Sequence, residues 1–131
     1  MADTRRPLSP HLQVYRWQVQ MVSSILHRAT GIALAAGSAM VVAGLLALAG
    51  GEHSFDVFRQ LAGSLPGMLL LFGWTWALFY HLCNGIRHLI QDAGTGYAIA
   101  QFVHSSWTAI AVSIVLTLLT WAYVLMIGGA A

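Results

Sequence analysis

The sequence predicts an all-α membrane protein with three transmembrane helices, and three observations predict it. Of its 131 side chains, 58% are hydrophobic and only 8% are charged, whereas soluble domains carry about 25% charged residues. Charges are absent over Ala29 to Gly51, Gln60 to Ile86 and Ala93 to Ala131. Each run meets the roughly 20 helical residues that a hydrocarbon layer about 30 Å thick requires. Backbone polar groups in lipid must be satisfied within the segment, which makes helices the default. The length fits one domain, and with most of it in lipid no room remains for a separate catalytic domain.

Residues 1–22 form the expected cytoplasmic or interfacial segment. Arg6-Pro7-Leu8-Ser9-Pro10-His11 cannot be a continuous helix, because each proline biases its predecessor toward extended geometry. Leu12, Val14, Tyr15 and Trp17 then suggest a strip lying on the membrane surface. The helices are expected at 23–50, 65–92 and 104–127, joined by an external loop at 51–64 and a cytoplasmic loop at 93–103, with a tail at 128–131. The first two extend past their charge-free runs at one end to take in polar clusters described below.

Arginine supplies every strong cation, since the chain has no lysine. Arg5, Arg6, Arg16 and Arg28 precede the first span and Arg87 follows the second, against Arg59 alone in the intervening loop. This asymmetry predicts a cytoplasmic amino terminus and an external carboxyl terminus. Trp17 and Trp107 lie near expected borders, where amphipathic rings are favoured, and Trp121 lies within the third span or near its far end. Ala47-x-Ala49 offers a cleavage site for a signal peptide, but the apolar run before it exceeds the usual 7–15-residue core and 28 residues precede that run. Asp3 and the early Arg6-Pro7 also fit a transit peptide poorly.

Several function classes fall away. The single cysteine, Cys83, excludes an internal disulfide and an iron–sulfur cluster held by this chain alone. The net charge of +2 comes without a basic stripe, so no nucleic-acid partner is read. No Cys/His cluster has zinc spacing. Gly94-Thr95-Gly96 lacks a third glycine and follows a membrane helix rather than a strand, which dismisses dinucleotide binding. The serines and His104 form no nucleophile–base arrangement, and no residue is read as catalytic.

Polar residues inside membrane helices are costly and mark function by default. On the first helix, Ser24, His27, Arg28 and Gly31 fall within a sector of about 100°; the plain reading is a snorkelling Arg28 with His27 in the headgroups. On the second, His81, Gly85, His88 and Asp92 stack within about 60° of one face, and Arg87 projects about 120° away. Asp92 stands at a helix carboxyl end, where the dipole disfavours it, so it should need a cation, either His88 or Arg28. The first helix enters and the second returns on the same side, so the two clusters share one depth. A histidine there can ligate haem iron, relay protons or bond a neighbouring carbonyl. Beside His81, Gly85 leaves room for something flat. Gly31, Ala35, Ala39, Ala43 and Ala47 recur every four residues, a spacing that lets helices approach closely, or else simple alanine-rich filler. Three helices with one ligand candidate suggest a bundle completed by another chain.

Arg6-Pro7-Leu8-Ser9-Pro10-His11, Ser24-Ile25-Leu26-His27-Arg28-x-Thr30-Gly31 and His81-x3-Gly85-Ile86-Arg87-His88-Leu89-x2-Asp92-x-Gly94 together resemble the cytochrome b556, or large anchor, subunit of succinate dehydrogenase in respiratory complex II. The resemblance covers essentially the whole chain. It implies that His81 is an axial ligand of a haem b iron, with the other axial histidine on the smaller anchor subunit. It implies that His27, Arg28 and His88 lie near the haem propionates, that Ser24, Ile25 and Arg28 border a ubiquinone site, and that Asp92 has a proton or docking role. The implied partners are a flavoprotein, an iron–sulfur protein and the smaller anchor, with the succinate site on another chain. The implied location is a bacterial inner membrane, and the implied role is electron transport from succinate oxidation in the tricarboxylic acid cycle to quinone. A non-redox anchor that only docks soluble subunits, and the equivalent subunit of a fumarate reductase, are the alternatives.

Overall fold

A computed structural model describes residue 11 and residues 14–128. The described residues form four helices: α1 Val19–Ala49, α2 Glu52–Gly63, α3 Leu65–Asp92 and α4 Ile99–Gly128. The expectation for Arg6 to Pro10, and for Leu12, lies outside the described residues. Val14, Tyr15 and Trp17 are exposed and precede the first helix.

Three of the helices, α1, α3 and α4, are long and apolar enough to cross a membrane. α3 is the middle of the bundle and packs against all the others. Ser23 pairs with Asn84, Thr30 with His81, and Gly37 abuts Trp74, an order that makes α1 and α3 antiparallel. Arg87 reaches Ser105 while Trp121 reaches Thr75, so α4 is antiparallel to α3 as well. The start of α1, the end of α3 and the start of α4 therefore share one end of the bundle.

Large apolar side chains such as Ile32, Leu46, Leu69 and Leu119 point outward, and the buried positions are mostly small or polar: Ser23, Thr30, Ala77, Asn84, Ala109, Ser113 and Thr117 among them. This inversion suits lipid, where apolar groups gain nothing from being inside and small residues let helices close on one another. Ser106, Ala109, Ser113 and Thr117 form the seam of α4. Their hydroxyls donate to carbonyls of their own helix, Ser106 to Phe102, Ser113 to Ile110 and Thr117 to Ser113, so no polar hydrogen is stranded in the seam.

Of the expected small-residue stripe of α1, Gly31 lies against α3, while the next three alanines of the stripe turn away. Ala35, Ala39 and Ala43 are exposed. Closeness to α3 comes from Gly31 and from Gly37, which is outside the stripe, and closeness to α2 from Gly44. A β-carbon at Gly37 would collide with the Trp74 indole, and one at Gly44 would lie 2.9 Å from Phe58 Cζ.

Three segments differ from the sequence reading. α1 begins at Val19 rather than 23, so the end of the expected 1–22 segment is already helical. Residues 51–64 are not a loop but contain α2, because Phe55, Phe58 and Ala62 repeat at helical spacing and turn inward while Glu52, Asp56 and Arg59 stay exposed. Such an amphipathic helix carries charges on its outer face, so a search for charge-free runs passes over it. Gly51, at φ +96°, makes the reversal that leads into α2, a conformation that costs glycine little. Ser64 then ends α2 and starts α3, donating to the Leu61 carbonyl at 2.6 Å and accepting from the Gly67 amide at 3.3 Å. The last helix begins at Ile99 rather than 104. Ile99 to Val103 is helix-compatible, and Phe102 packs under the Arg87 guanidinium, 4.4 Å from ring centroid to Cζ.

Candidate functional site

The polar residues of α1 and α3 meet near the shared end, and their centre is a pair of histidines. The His27 and His81 rings stack with centroids 4.0 Å apart and planes 13° from parallel. His88 lies one further step along, its ring 5.1 Å from that of His27.

His81 is oriented through Nδ1. That nitrogen lies 3.1 Å from the His27 carbonyl and 3.3 Å from Thr30 Oγ1. A carbonyl only accepts, so Nδ1 carries the hydrogen. The Thr30 hydroxyl already donates to the backbone, at 2.8 Å from the Leu26 carbonyl and 3.0 Å from that of His27, and so accepts from His81. With Nδ1 protonated, a neutral His81 presents a lone pair at Nε2. This is the usual device by which a protein fixes the tautomer and direction of a metal-binding imidazole.

The space around the pair is shaped by glycine. A β-carbon at Gly31 would press to 3.1 Å from His81 Cε1, so this position lets the ring lie against α1. At Gly85 a β-carbon would meet only His27 Cε1, at 3.9 Å, among the described residues, so none of them requires glycine there. His27 Nδ1 is shielded from solvent yet has no hydrogen-bond partner among the described residues. An imidazole lone pair at His81, an orphaned nitrogen at His27 and an unfilled place at Gly85 all fit a flat iron-bearing group with polar edge substituents. Among the described residues no three His, Cys, Asp or Glu side chains gather to hold a bare metal ion.

Behind the histidines runs a buried hydrogen-bond chain that the sequence reading missed. Tyr80 Oη donates toward the Ser23 carbonyl and Oγ, at 3.0 and 3.1 Å. Ser23 Oγ donates to Asn84 Oδ1 at 2.8 Å, and Arg87 Nη1 donates to the same oxygen at 3.0 Å. Asn84 Nδ2 lies 3.2 Å from His88 Nε2, and Arg87 Nε donates to Ser105 Oγ at 3.1 Å. The chain joins α1, α3 and α4. Asn84 was the legible clue, being an amide three residues past His81 in a charge-free run.

The remaining expected residues are placed as follows. Ser24 is half-buried beside Ser23, but Ser23 makes the interhelical bonds. Ile25, Arg28 and Asp92 are exposed, and His88 is half-buried. Ser24 and Arg28 form no side-chain hydrogen bond or ion pair among the described residues. Asp92 does not acquire the expected cation from His88 or Arg28: exposed at the end of α3, it needs none, and His88 bonds Asn84 instead. Arg87 does project away from the histidine face, as expected, but into the α3–α4 interface, where it is 6% exposed.

Comparison with known proteins now decides the lineage. The family described as succinate dehydrogenase/fumarate reductase transmembrane subunit matches residues 2–120. This chain belongs to that family. Its members here include a succinate dehydrogenase cytochrome b556 subunit of Paracoccus denitrificans, 45% identical over 92% of this chain and 95% of the relative. One of Rickettsia felis is 39% identical over 89% of this chain and 91% of the relative. A mitochondrial cytochrome b560 subunit of Sus scrofa is 44% identical over 78% of this chain and 62% of the relative. Family membership and three spanning helices make this a multi-pass membrane subunit of the succinate dehydrogenase type.

Proposed function

We propose that this chain is the haem-holding, quinone-side anchor of a succinate:quinone oxidoreductase in a bacterial inner membrane. The observation that carries the reading is the Nδ1–H bond of His81 to the His27 carbonyl, which turns a lone pair at Nε2 outward. His81 would hold the iron of haem b, together with a histidine from the smaller anchor. Haem b, when bound, supplies a one-electron store close to the quinone. His27, with its unpartnered nitrogen, and the exposed Arg28 would meet the propionates, since a charged acid in a membrane needs cations and donors; His88 would stand beside them. Ser24 and Arg28 would orient and polarise a ubiquinone carbonyl from the border, with Ile25 against its ring. Asp92, outside the buried chain, suits proton exchange with the aqueous face or docking of soluble subunits. Electrons would arrive from an iron–sulfur partner fed by a flavoprotein. The arginine distribution supports a cytoplasmic side for the start of α1 and the end of α3.

The test is the optical spectrum of the purified complex. His81→Ala should abolish or shift the reduced-minus-oxidised b-type band while the assembled subunits are still recovered. An unchanged band rejects His81 as ligand, and a wild-type complex without pigment favours the non-redox anchor. The fumarate-reducing direction, which the family's description also covers, is separated by comparing succinate oxidation with fumarate reduction in that complex.

A further inference from the structure

The opposite face of α3 borders a second feature, a cleft of about 710 Å³ between α3 and α4. That volume lies inside the roughly 300–1,000 Å³ typical of ligand sites. Its walls are mainly apolar, with Ile86 and Ile90 on one side and Ala109 and Val112 on the other. Ile86, Ile90 and Val112 are partly exposed, which gives the cleft an edge toward the bilayer.

Among the polar side chains that line it, Arg87 and Gln91 are buried with hydrogen-bonding capacity left unused. Arg87 is met by neutral groups alone, Asn84, Ser105 and the Phe102 ring, and its Nη2 has no hydrogen bond among the described residues. Gln91 is 7% exposed, and its Nε2 is shielded and unbonded. A cation in a membrane helix without an anion is costly, and an unmade amide bond adds to that cost. Both lie within the last turns of α3, near the border where lipid headgroups reside. Basic pockets between spanning helices are suited to anionic headgroups.

We propose that this cleft binds an anionic phospholipid, with its phosphodiester at Arg87 and Gln91 and an acyl chain along Ile86, Ile90 and Val112. The site lies on the other face of α3 from the stacked histidines, and Arg87 connects to that side through Asn84 and His88. Charge selects the headgroup, and the apolar walls distinguish a lipid from a free phosphate.

The experiment uses the purified complex carrying the wild-type chain, Arg87→Gln, Gln91→Leu or Val112→Trp. Each is equilibrated with vesicles of equal parts phosphatidylglycerol and phosphatidylcholine, and tightly retained lipid is counted by mass spectrometry. Wild type should retain about one phosphatidylglycerol more than each variant, as one pocket holds one headgroup, with phosphatidylcholine unchanged. Val112→Trp obstructs the cleft but leaves the Arg87 bonds intact, so its loss cannot be charged to a broken network. Equal phosphatidylglycerol retention in all four complexes overturns the proposal. So does displacement of the lipid by millimolar inorganic phosphate, which would make this a simple anion site. A photo-crosslinker at Ile90 that labels a polypeptide rather than lipid would show a partner subunit covering the cleft.

Discussion

Replacing Asn84 with leucine removes the hub of the buried chain. Asn84 is fully buried; its Oδ1 accepts from Ser23 Oγ at 2.8 Å and Arg87 Nη1 at 3.0 Å, and its Nδ2 lies 3.2 Å from His88 Nε2. Leucine keeps the same branched side-chain shape and cancels all three bonds. Interhelical hydrogen bonds in membranes average about 0.6 kcal/mol and reach about 1.7, while bonds to a charged group run to about 1.5–3. Two neutral bonds and one to Arg87 therefore sum to roughly 2–4 kcal/mol of lost stability. Most of this loss is the stranded guanidinium, because Tyr80 still donates to Ser23. The double variant Asn84→Leu/Arg87→Met, which removes the stranded charge, should thus be more stable than Asn84→Leu alone. Thermal melting of the four purified forms in one detergent reads the cycle. Additive losses, with the double variant worst, would refute the view that the amide exists to satisfy the arginine.

Gly37→Ala should destabilise the α1–α3 pair by about 1–3 kcal/mol through overpacking against Trp74, and Trp74→Leu in that background should restore part of the melting temperature. Thr30→Val removes one acceptor from His81 Nδ1 while keeping the side-chain shape; loss of an outer partner of a metal-binding histidine lowers retention by about 10–100-fold. Because the His27 carbonyl remains, the lower end is expected, measured as haem lost on washing. Ser24→Ala should lower quinone reduction while leaving the haem spectrum and succinate oxidation with an artificial acceptor unchanged; equal loss of both activities would mean failed assembly instead. Gly85→Leu should reduce pigment content at nearly unchanged melting temperature, since the chain itself leaves room at that position.

Charge-free runs located the three spanning helices because lipid penalises charge so strongly that composition alone carries the signal. The same strength hid α2, whose charges are held outward by Phe55 and Phe58. Helical spacing put His81, Gly85 and His88 on one face, and entry and return from one side predicted that His27 would meet them. Which serine faces α3 was not legible: Ser23 and Ser24 differ by 100° on a helix, and only the partners Tyr80 and Asn84 choose between them. Nor could spacing tell that Arg87 has Phe102 and Ser105 to turn to, since both belong to a helix later in the chain. Of the small-residue repeat from Gly31 to Ala47, Gly31 makes a close approach here while Ala35, Ala39 and Ala43 face outward, and the other close approaches come from Gly37 and Gly44, off the repeat.

The neighbours of Arg87 also bear on biogenesis. As the ribosome finishes α3, Ser105 and Phe102 have not yet been made, so that segment would have to enter the bilayer with a cation that has only Asn84 of its own helix to bond. Only when α4 follows does the guanidinium find a hydroxyl and an aromatic face. The two segments are therefore best delivered together as a helical hairpin, and a nascent chain that stops short of α4 is one that membrane quality control has reason to remove.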